Sequence, residues 1–571
     1  MTGTRQATYL ALIASLLAAS PAAHAATGDT ELISVQPPGA GGLGADGVSF
    51  DPVLSADGRY VAFESNAANL SGEDNDAFRD VFLRDTQNGA ITLVSRRSAA
   101  EGGTGGNEVS ELNAMSADGR YISFSSDADN LSTADDNAHF NVFVRDTLTA
   151  TTILVSRQSA GDGGDGADGQ SVYGSMSADG RYVAFESSAS NLAADDDNGA
   201  RDIFVRDLQT NATTLVSRRS ALSGNGPASG SSFNAAISAD GRYVAFESGA
   251  DNLSTIDDNA VFNVFVRDLQ TGSLRLVSRR SAGGPSGGDG GNGDSRRPTL
   301  SADGRYVAFD SEADNLSDED DNAVTGVFVR DLEQDSTTLA SRQSGAGAAA
   351  DGDSEDAVLS PDGRLLAFES EADNLSSDDN GNARDVFVRD LQTGAIALAS
   401  RDGAAGAGGD DDSGGPAFSG DGRYLGFHSG ANNLSALDSE DLFDVFRRDL
   451  FGPGGLPGDP GGAPGADTTR PKLSKLSLSR TRIARGHATR LRFKLSEAAD
   501  VRIEIRRRKA GRYRKIGVLK KKNRDAGSNS IRIAARLRGK ALKSGHFQFV
   551  VTATDDAGNR SLPKKPRFRI V

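Results

Sequence analysis

The eleven residues SADGRYVAFES stand at 55–65 and return almost unaltered six more times along the chain. The copies are SADGRYISFSS (116–126), SADGRYVAFES (177–187 and 238–248), SADGRYVAFDS (301–311), SPDGRLLAFES (360–370) and SGDGRYLGFHS (419–429). The Asp of each DGR triplet falls at 57, 118, 179, 240, 303, 362 and 421, a period of about 60 residues. Self-similarity at such a period constrains the fold more than any other feature. One unit cannot bury its own apolar face, so the units must pack on one another in a row or a ring.

Each unit reads as four strands. In the fourth, SSFNAAIS (231–238) runs into the Asp240-Gly241 turn, and YVAFES (243–248) follows. An acidic loop then leads to NVFVRDL (263–269), and Thr271-Gly272 turns the chain into LRLVSR (274–279). Gly in these tight turns supplies a positive φ. Apolar residues on both faces of the second strand suit a sheet covered on both sides. Four antiparallel strands per unit of this length predict a β-propeller blade.

The strand count predicts how the ring closes. The fourth-strand sequence occurs as ITLVS (91–95), TILVS (152–156), TTLVS (213–217), LRLVS (274–278), TTLAS (337–341) and IALAS (396–400). The seventh unit ends at DVFRRDL (444–450) and has no such strand after it, whereas a spare copy, TELISV (30–35), stands ahead of the first unit. Pairing the spare strand with the last unit removes the raw edge. The expected fold is therefore all-β: a seven-bladed β-propeller over 29–450, closed by an N-terminal strand.

These repeats resemble the TolB-type, WD40-like propeller repeat, whose hallmark is the S-x-D-G-R-x-[IV]-A-F turn and strand. The resemblance implies a fold used as a binding platform and as the non-catalytic propeller of some peptidases, and does not by itself imply an activity. The α/β domain that precedes the propeller in TolB is not seen here, and no hydrolase domain follows the repeats. Neither the Tol-machinery role nor the peptidase role is carried over.

In an antiparallel blade, the turns after strands one and three share one face and the connections after strands two and four share the other. The first set is short and uniform (SADGR, DLQTG). The second holds the acidic loops and the glycine-rich crossings, such as GGPSGGDGGNGDS (283–295), so binding is expected there. The acidic loops offer candidate calcium ligands: Asp74, Asp76 and Asp80; Asp135 and Asn137 (with Asn141); Asp196, Asn198 and Asp202; Asp257 and Asn259 (with Asn263). Oxygen ligands two residues apart in a tight loop suit that ion. An EF-hand reading fails, because the twelfth-position acid (Asp85, Asp146, Asp207 or Asp268) lies about 16 Å down an extended strand. A metal would need another acid, with Glu64, Glu186 and Glu247 as candidates. Asx-turns alone also explain the loops. No other cofactor is expected.

Other motifs read as structural. An Asn precedes Leu at 69, 130, 191, 252, 315, 374 and 433, which fits turn chemistry better than glycosylation. The Arg84-Asp85 pair and its copies read as ion pairs. Gly284-Pro285-Ser286-Gly287-Gly288 matches G-x-S-x-G without the strand and helix that a nucleophile elbow needs. His139, His428, His487 and His546 have no metal-like spacing.

The chain contains no cysteine, which excludes disulfides and thiolate chemistry. Residues 1–25 have the three-part layout of a secretory signal peptide: Arg5, an apolar run over 7–17, and Ala23-His24-Ala25. No transmembrane segment is expected. Net charge −17 conceals a split. Residues from Arg470 onward carry 31 Lys+Arg against 6 Asp+Glu, a balance of +25, and residues 26–469 carry −43. A Pro/Gly linker (451–470) separates the two.

Beyond it, alternating strands at 490–495, 501–506, 531–538, 547–555 and 567–571 predict a small β-sandwich over 471–571. TATDDAGNRS (552–561) resembles the last hairpin of bacterial Ig-like, fibronectin-type modules. Arg506, Arg507, Arg508, Lys509, Lys520, Lys521 and Lys522 are the candidate residues for an anionic surface. The expected partner is an anionic cell-envelope polymer or a protein. Nucleic acid is not expected, because no recognition motif accompanies the charge. The expectation is a secreted or envelope-associated, monomeric, non-enzymatic binding scaffold. The alternatives are a polysaccharide-active enzyme with its site at the channel mouth, or a structural spacer.

Overall fold

The computed structural model describes residues 30–451 except 39, 41–42, 75–77, 136–138, 221–225, 257–260, 282–287, 321–323, 346, 380–382, 404–407 and 439–441. It further describes 472–571 except 485–486, 496–498, 510–511, 525–526, 535, 538–539 and 555–563. The signal-peptide reading, the linker beyond Phe451 and the G-x-S-x-G stretch up to Gly287 lie outside these residues. The chain divides into two compact units, Met1–Gly461 and Gly462–Val571.

In the first unit the described strands form seven four-stranded antiparallel sheets. Six are continuous in sequence; the first, for example, runs through Ser49–Leu54, Tyr60–Ser65, Asp80–Asp85 and Ala90–Leu93. The seventh joins Ser413–Phe418, Tyr424–Ser429 and Asp444–Asp449 to Thr30–Leu32, with Thr30 opposite Arg448 and Leu32 opposite Phe446. Each sheet's first strand packs against the first strands of both neighbours, and the seventh packs on the first. The first strands therefore surround a common axis. This is a β-propeller arrangement.

Three repeated devices lock neighbouring sheets. On the short-turn face the Ala56 N–H donates to Ala117 O, Ala117 to Ala178 O, Ala178 to Ala239 O, Ala239 to Ala302 O and Ala302 to Pro361 O. Pro361 has no N–H to pass on to the seventh sheet, and across the seam the Asp421 N–H of the seventh sheet donates to Ala56 O of the first. Along the sheet sides, the DGR glycines at positive φ lie against the preceding sheet's tyrosine, as Gly119 does on Tyr60 and Gly58 on Tyr424. A Cβ on Gly58 would stand 2.2 Å from the Tyr424 ring, so both the turn and the close approach require glycine there.

The third device corrects the sequence reading of Arg84 and Asp85, which do not pair with each other. Alternation along the strand sends them to opposite sides. Asp85 binds the Arg59 guanidinium of its own DGR turn, at 2.8 and 2.6 Å, and Arg84 donates to Val35 O of the preceding sheet at 2.6 Å. Arg145, Arg206, Arg389 and Arg448 make the equivalent reach. Each asparagine before Leu bonds a crossing carbonyl, as Asn69 does Gly44 O and Asn433 does Gly408 O, and the adjoining Leu70 and Leu434 are buried. That is the turn role expected of them.

The second unit is a sandwich of two sheets with one core. A three-stranded sheet (Leu473–Leu478, Ala488–Leu495, Gly527–Ala534) supplies Leu491, Phe493 and Ile531. A five-stranded sheet built on Ala499–Lys509, Arg512–Arg524 and Gly545–Thr554 supplies Ile503, Phe549 and Val551. No helix long and apolar enough to cross a membrane occurs among the described residues.

Candidate binding site at the axial mouth

Seven copies of one sheet act as an internal control for what the fold demands. The opening Ser of every first strand bonds the closing Ser of the second, from Ser49–Ser65 (2.9 Å) to Ser413–Ser429 (2.8 Å). No two sheets carry the same residues at the next three positions: Phe-Asp-Pro at 50–52, Glu-Leu-Asn at 111–113, Val-Tyr-Gly at 172–174, Phe-Asn-Ala at 233–235, Arg-Arg-Pro at 296–298, Glu-Asp-Ala at 355–357 and Gly-Gly-Pro at 414–416. These slots lie on the axial strands, at the end facing the acidic loops. Side chains that change from sheet to sheet on an otherwise repeated strand pair mark this place as one the scaffold does not fix by side-chain packing.

The strand bulges there. Pairing with the second strand slips at this point in every sheet, as between Phe50 and Val53. The third residue takes a left-handed φ at Asp51, Tyr173, Asn234, Arg297, Asp356 and Gly415. The bulge frees a backbone N–H, and the fifth residue of the preceding second strand accepts it. Glu64 takes the Leu112 N–H (2.7 Å), Glu186 that of Asn234 (3.0 Å), Glu247 that of Arg297 (2.7 Å) and Asp310 that of Asp356 (3.3 Å). In the seventh sheet His428 holds this slot, with Nδ1 3.4 Å from the Asp51 nitrogen and 3.5 Å from its carboxylate. Five carboxylates and one imidazole thus ring the axis, with Ser125 in the remaining slot.

Guanidinium groups answer these acids: Arg79 on Glu64 (3.0 Å), Arg201 on Glu186 (2.7 Å), and Arg297 on Asp310 (2.9 Å) and Glu355 (3.1 Å). Burial nevertheless dominates. It pushes Glu64 up to about 8 and raises Glu186 and Asp310 as well. Glu369 is also raised, first by burial and then by its neighbour Asp356. Sequence reasoning named Glu64, Glu186 and Glu247 only as spare metal ligands. The recurrence of an acid just before the closing Ser was the available signal for the ring.

The candidate calcium loops show a structural role at one end. Asp80 and Asp202 are buried at the start of their third strands and accept from Ser95 and Ser217 of the fourth. Asp444 accepts likewise from Ser34 across the ring seam. Asn198 donates to Asp202 at 2.7 Å, and Asn141 to Asp135 at 3.0 Å. Burial raises both Asp196 and Asp202; the Asp195, Asp197 and Asp168 carboxylates add to the rise at Asp196, and Asp196 adds to that at Asp202, which reaches about 6. Asp74 is described; Asp76, Asn137, Asp257 and Asn259 lie outside the described residues. Among the described residues no cluster of three His or acidic side chains forms a metal-ligating group.

The basic candidates of the second unit separate along one hairpin. Arg506, Arg507, Arg508 and Lys509 stand opposite Lys515, Arg514, Tyr513 and Arg512 near its turn. Lys520 and Lys521 lie opposite Arg502 and Val501 toward the far end, with Lys522 next along the strand. Arg506 is bonded to Glu504 at 2.6 Å, and Arg507 donates to Ser544 O.

No protein-family profile matches the chain, and no curated protein matches it in sequence. Solved structures align at low identity. An oligogalacturonate lyase from Vibrio parahaemolyticus aligns at 11% identity and TM-score 0.43, over 74% of this chain and 99% of its own. A putative TolB from Agrobacterium tumefaciens aligns at 13% and 0.35, over 71% and 99%. A puromycin-hydrolyzing peptidase of Mycobacterium tuberculosis aligns at 14% and 0.42, over 79% and 58%. These likenesses assign no function, and the propeller reading stands on the sheet pairing and the axial contacts.

Proposed function

We propose that the chain is an exported, non-enzymatic binding protein. The seven sheets are read as seven blades of one closed propeller whose axial mouth, on the acidic-loop face, takes the ligand. The basic second unit is read as an Ig-like module that holds the protein at an anionic cell envelope. The supporting observation is the divergence of seven first-strand segments at one axial position while their surroundings repeat. Rigid scaffold with variable tips is the usual arrangement for recognition. The charge split supports the anchoring half, since +25 on about a hundred residues favours anionic surfaces.

The anchoring half is tested with the full chain and a variant carrying Gln at 506–509. Retention on isolated envelopes should fall with salt and fall further in the variant. Retention indifferent to both would reject it. Calcium in the acidic loops belongs to the same reading, with Asp74 and Asp80 in the first loop and Asp196 and Asp202 in the third as the described pairs of candidate carboxylates.

A second reading, turnover of extracellular polysaccharide at the mouth, is favoured by one observation. Glu369, raised above the ordinary carboxylate range, and His428 both border Gly414: a Cβ there would meet Glu369 Oε2 at 2.6 Å and His428 Nε2 at 3.2 Å. That pairs a proton donor with an imidazole. Release of new reducing ends, lost in Glu369→Gln, would establish it; no release by the wild-type chain from any polysaccharide it binds would dismiss it.

A further inference from the structure

Of the six bulges with left-handed backbone, four use Asp, Asn or Gly, which tolerate that conformation. Two do not: Tyr173 (φ 47°) and Arg297 (φ 48°). Arg297 has a visible return, because its guanidinium reaches Asp310, Glu355 and Asp356. Tyr173 has none. Its side chain is 56% exposed and makes no hydrogen bond or ring contact among the described residues. A bulky residue held in a disfavoured backbone without internal compensation points outward, to a ligand.

Tyr173 borders a cavity of about 340 Å³ at the axial mouth, lined also by Glu186, Arg201, Phe233, Asn234, Glu247 and Arg296. Its volume lies at the small end of the range for small-molecule sites, about 300–1,000 Å³. Two features define what fits. First, its charges are already matched: Glu186 binds Arg201, and Arg296 sits 2.6 Å from Asp294 and 3.9 Å from Glu247. A charged ligand would have to break one of these pairs. Second, the wall alternates aromatic faces with planar polar groups. Tyr173 and Phe233 are the lining aromatics, Arg201 lies 5.8 Å over the Phe233 ring, and the Asn234 side-chain amide is unused among the described residues.

Carboxylate and amide oxygens accept, and guanidinium and amide nitrogens donate, in forked pairs. Vicinal hydroxyls both donate and accept at that spacing, and a pyranose offers an apolar C–H face to an aromatic ring. We infer that this cavity binds a neutral sugar residue, stacked on Tyr173 and hydrogen-bonded by Asn234 and the Glu186–Arg201 pair. The inference rests on the axial mouth being the ligand site, and adds the class of ligand.

The test uses the full chain and a panel of cello-, chito-, xylo- and galacto-oligosaccharides, with an oligouronate as the charged arm. Calorimetry reads binding and backbone hydrogen exchange locates it. The expected result is binding of a neutral oligosaccharide in preference to the uronate, weakened about tenfold or more by Tyr173→Ala and by Asn234→Asp. Tyr173→Asn, which suits the left-handed backbone, should lose binding while melting no lower than wild type. That separates ligand loss from unfolding. Absence of binding across the panel at about 10 mM overturns the sugar assignment alone. Sugar binding that protects a surface away from residues 172–174 and 233–235 overturns the axial site as well.

Discussion

Replacing Gly58 by alanine tests ring closure with a control inside the same molecule. Gly58 and Gly422 occupy equivalent DGR turns with nearly equal backbone, φ 68° and 71°. An alanine at either site incurs the left-handed penalty of about 1–2 kcal/mol. Their surroundings differ. A Cβ on Gly58 meets the Tyr424 ring at 2.2 Å, because the seventh sheet packs directly on the first. A Cβ on Gly422 meets only Ser360 Cβ at 3.6 Å, because the sixth sheet has Leu365 where the others have tyrosine. Overpacking adds about 1–3 kcal/mol at the first site and nothing at the second. Gly58→Ala should therefore cost about 2–5 kcal/mol and Gly422→Ala about 1–2. Tyr424→Leu should relieve the excess in Gly58→Ala, so that the double mutant is more stable than additivity allows. The chain has no tryptophan and its tyrosines concentrate in the repeats, so tyrosine fluorescence in urea follows the propeller transition. Equal costs for the two alanines, or no rescue, would refute direct packing of last sheet on first.

Ser34→Ala should cost about 1–3 kcal/mol in urea, because it leaves the buried Asp444 carboxylate and the Val445 N–H without their hydroxyl partner. Stability should fall as pH rises from about 4.5 through about 8. Glu64 holds its proton in the folded state up to about 8 and releases it near the ordinary carboxylate value when unfolded, so the folded state binds the extra proton in that window. Glu64→Gln should flatten that slope, and an unchanged slope in pH-dependent melts would remove Glu64 as its source. Asp146, held down to about 2 first by its hydrogen bond from Arg120, acts in the opposite sense: its contribution is present above about 4 and lost toward 2. Millimolar calcium should raise the melting temperature over chelator if the Asp196–Asp202 loop binds it, and an unmoved melt would reject that site.

The architecture was legible because its cause is local and repeated. A DGR turn, a serine pair and an apolar strand recur seven times, and strand arithmetic alone assigned Thr30–Leu32 to the last sheet. The axial acids were harder to read. Glu64 and its counterparts are one letter in a conserved-looking FES triplet, and their importance lies in the neighbouring sheet's bulge, which no within-repeat pattern reveals. The Arg84-Asp85 assignment failed for a related reason: adjacent residues on a strand face opposite ways, so each found its partner elsewhere. In the second unit the strand Arg512–Arg524 was missed, because its core-packed Ile516 and Leu519 stand three residues apart across a register shift, amid lysines and arginines, so no period-two pattern shows.

The borrowed strand also sets the order in which the molecule can be assembled. Six sheets draw all their strands from within one stretch of chain and can form as that stretch becomes available. The seventh must bring Thr30 to Arg448, partners that lie at opposite ends of the repeat region, and the entropy of that meeting makes it the slow step. Until then the last sheet presents the bare edge of Asp444–Asp449 to other chains. A permuted propeller of residues 30–450, with 450 joined by a short turn to 30 and new ends in the crossing between two sheets, would keep every pairing yet move this rendezvous into a hairpin, and it should refold faster with less aggregation.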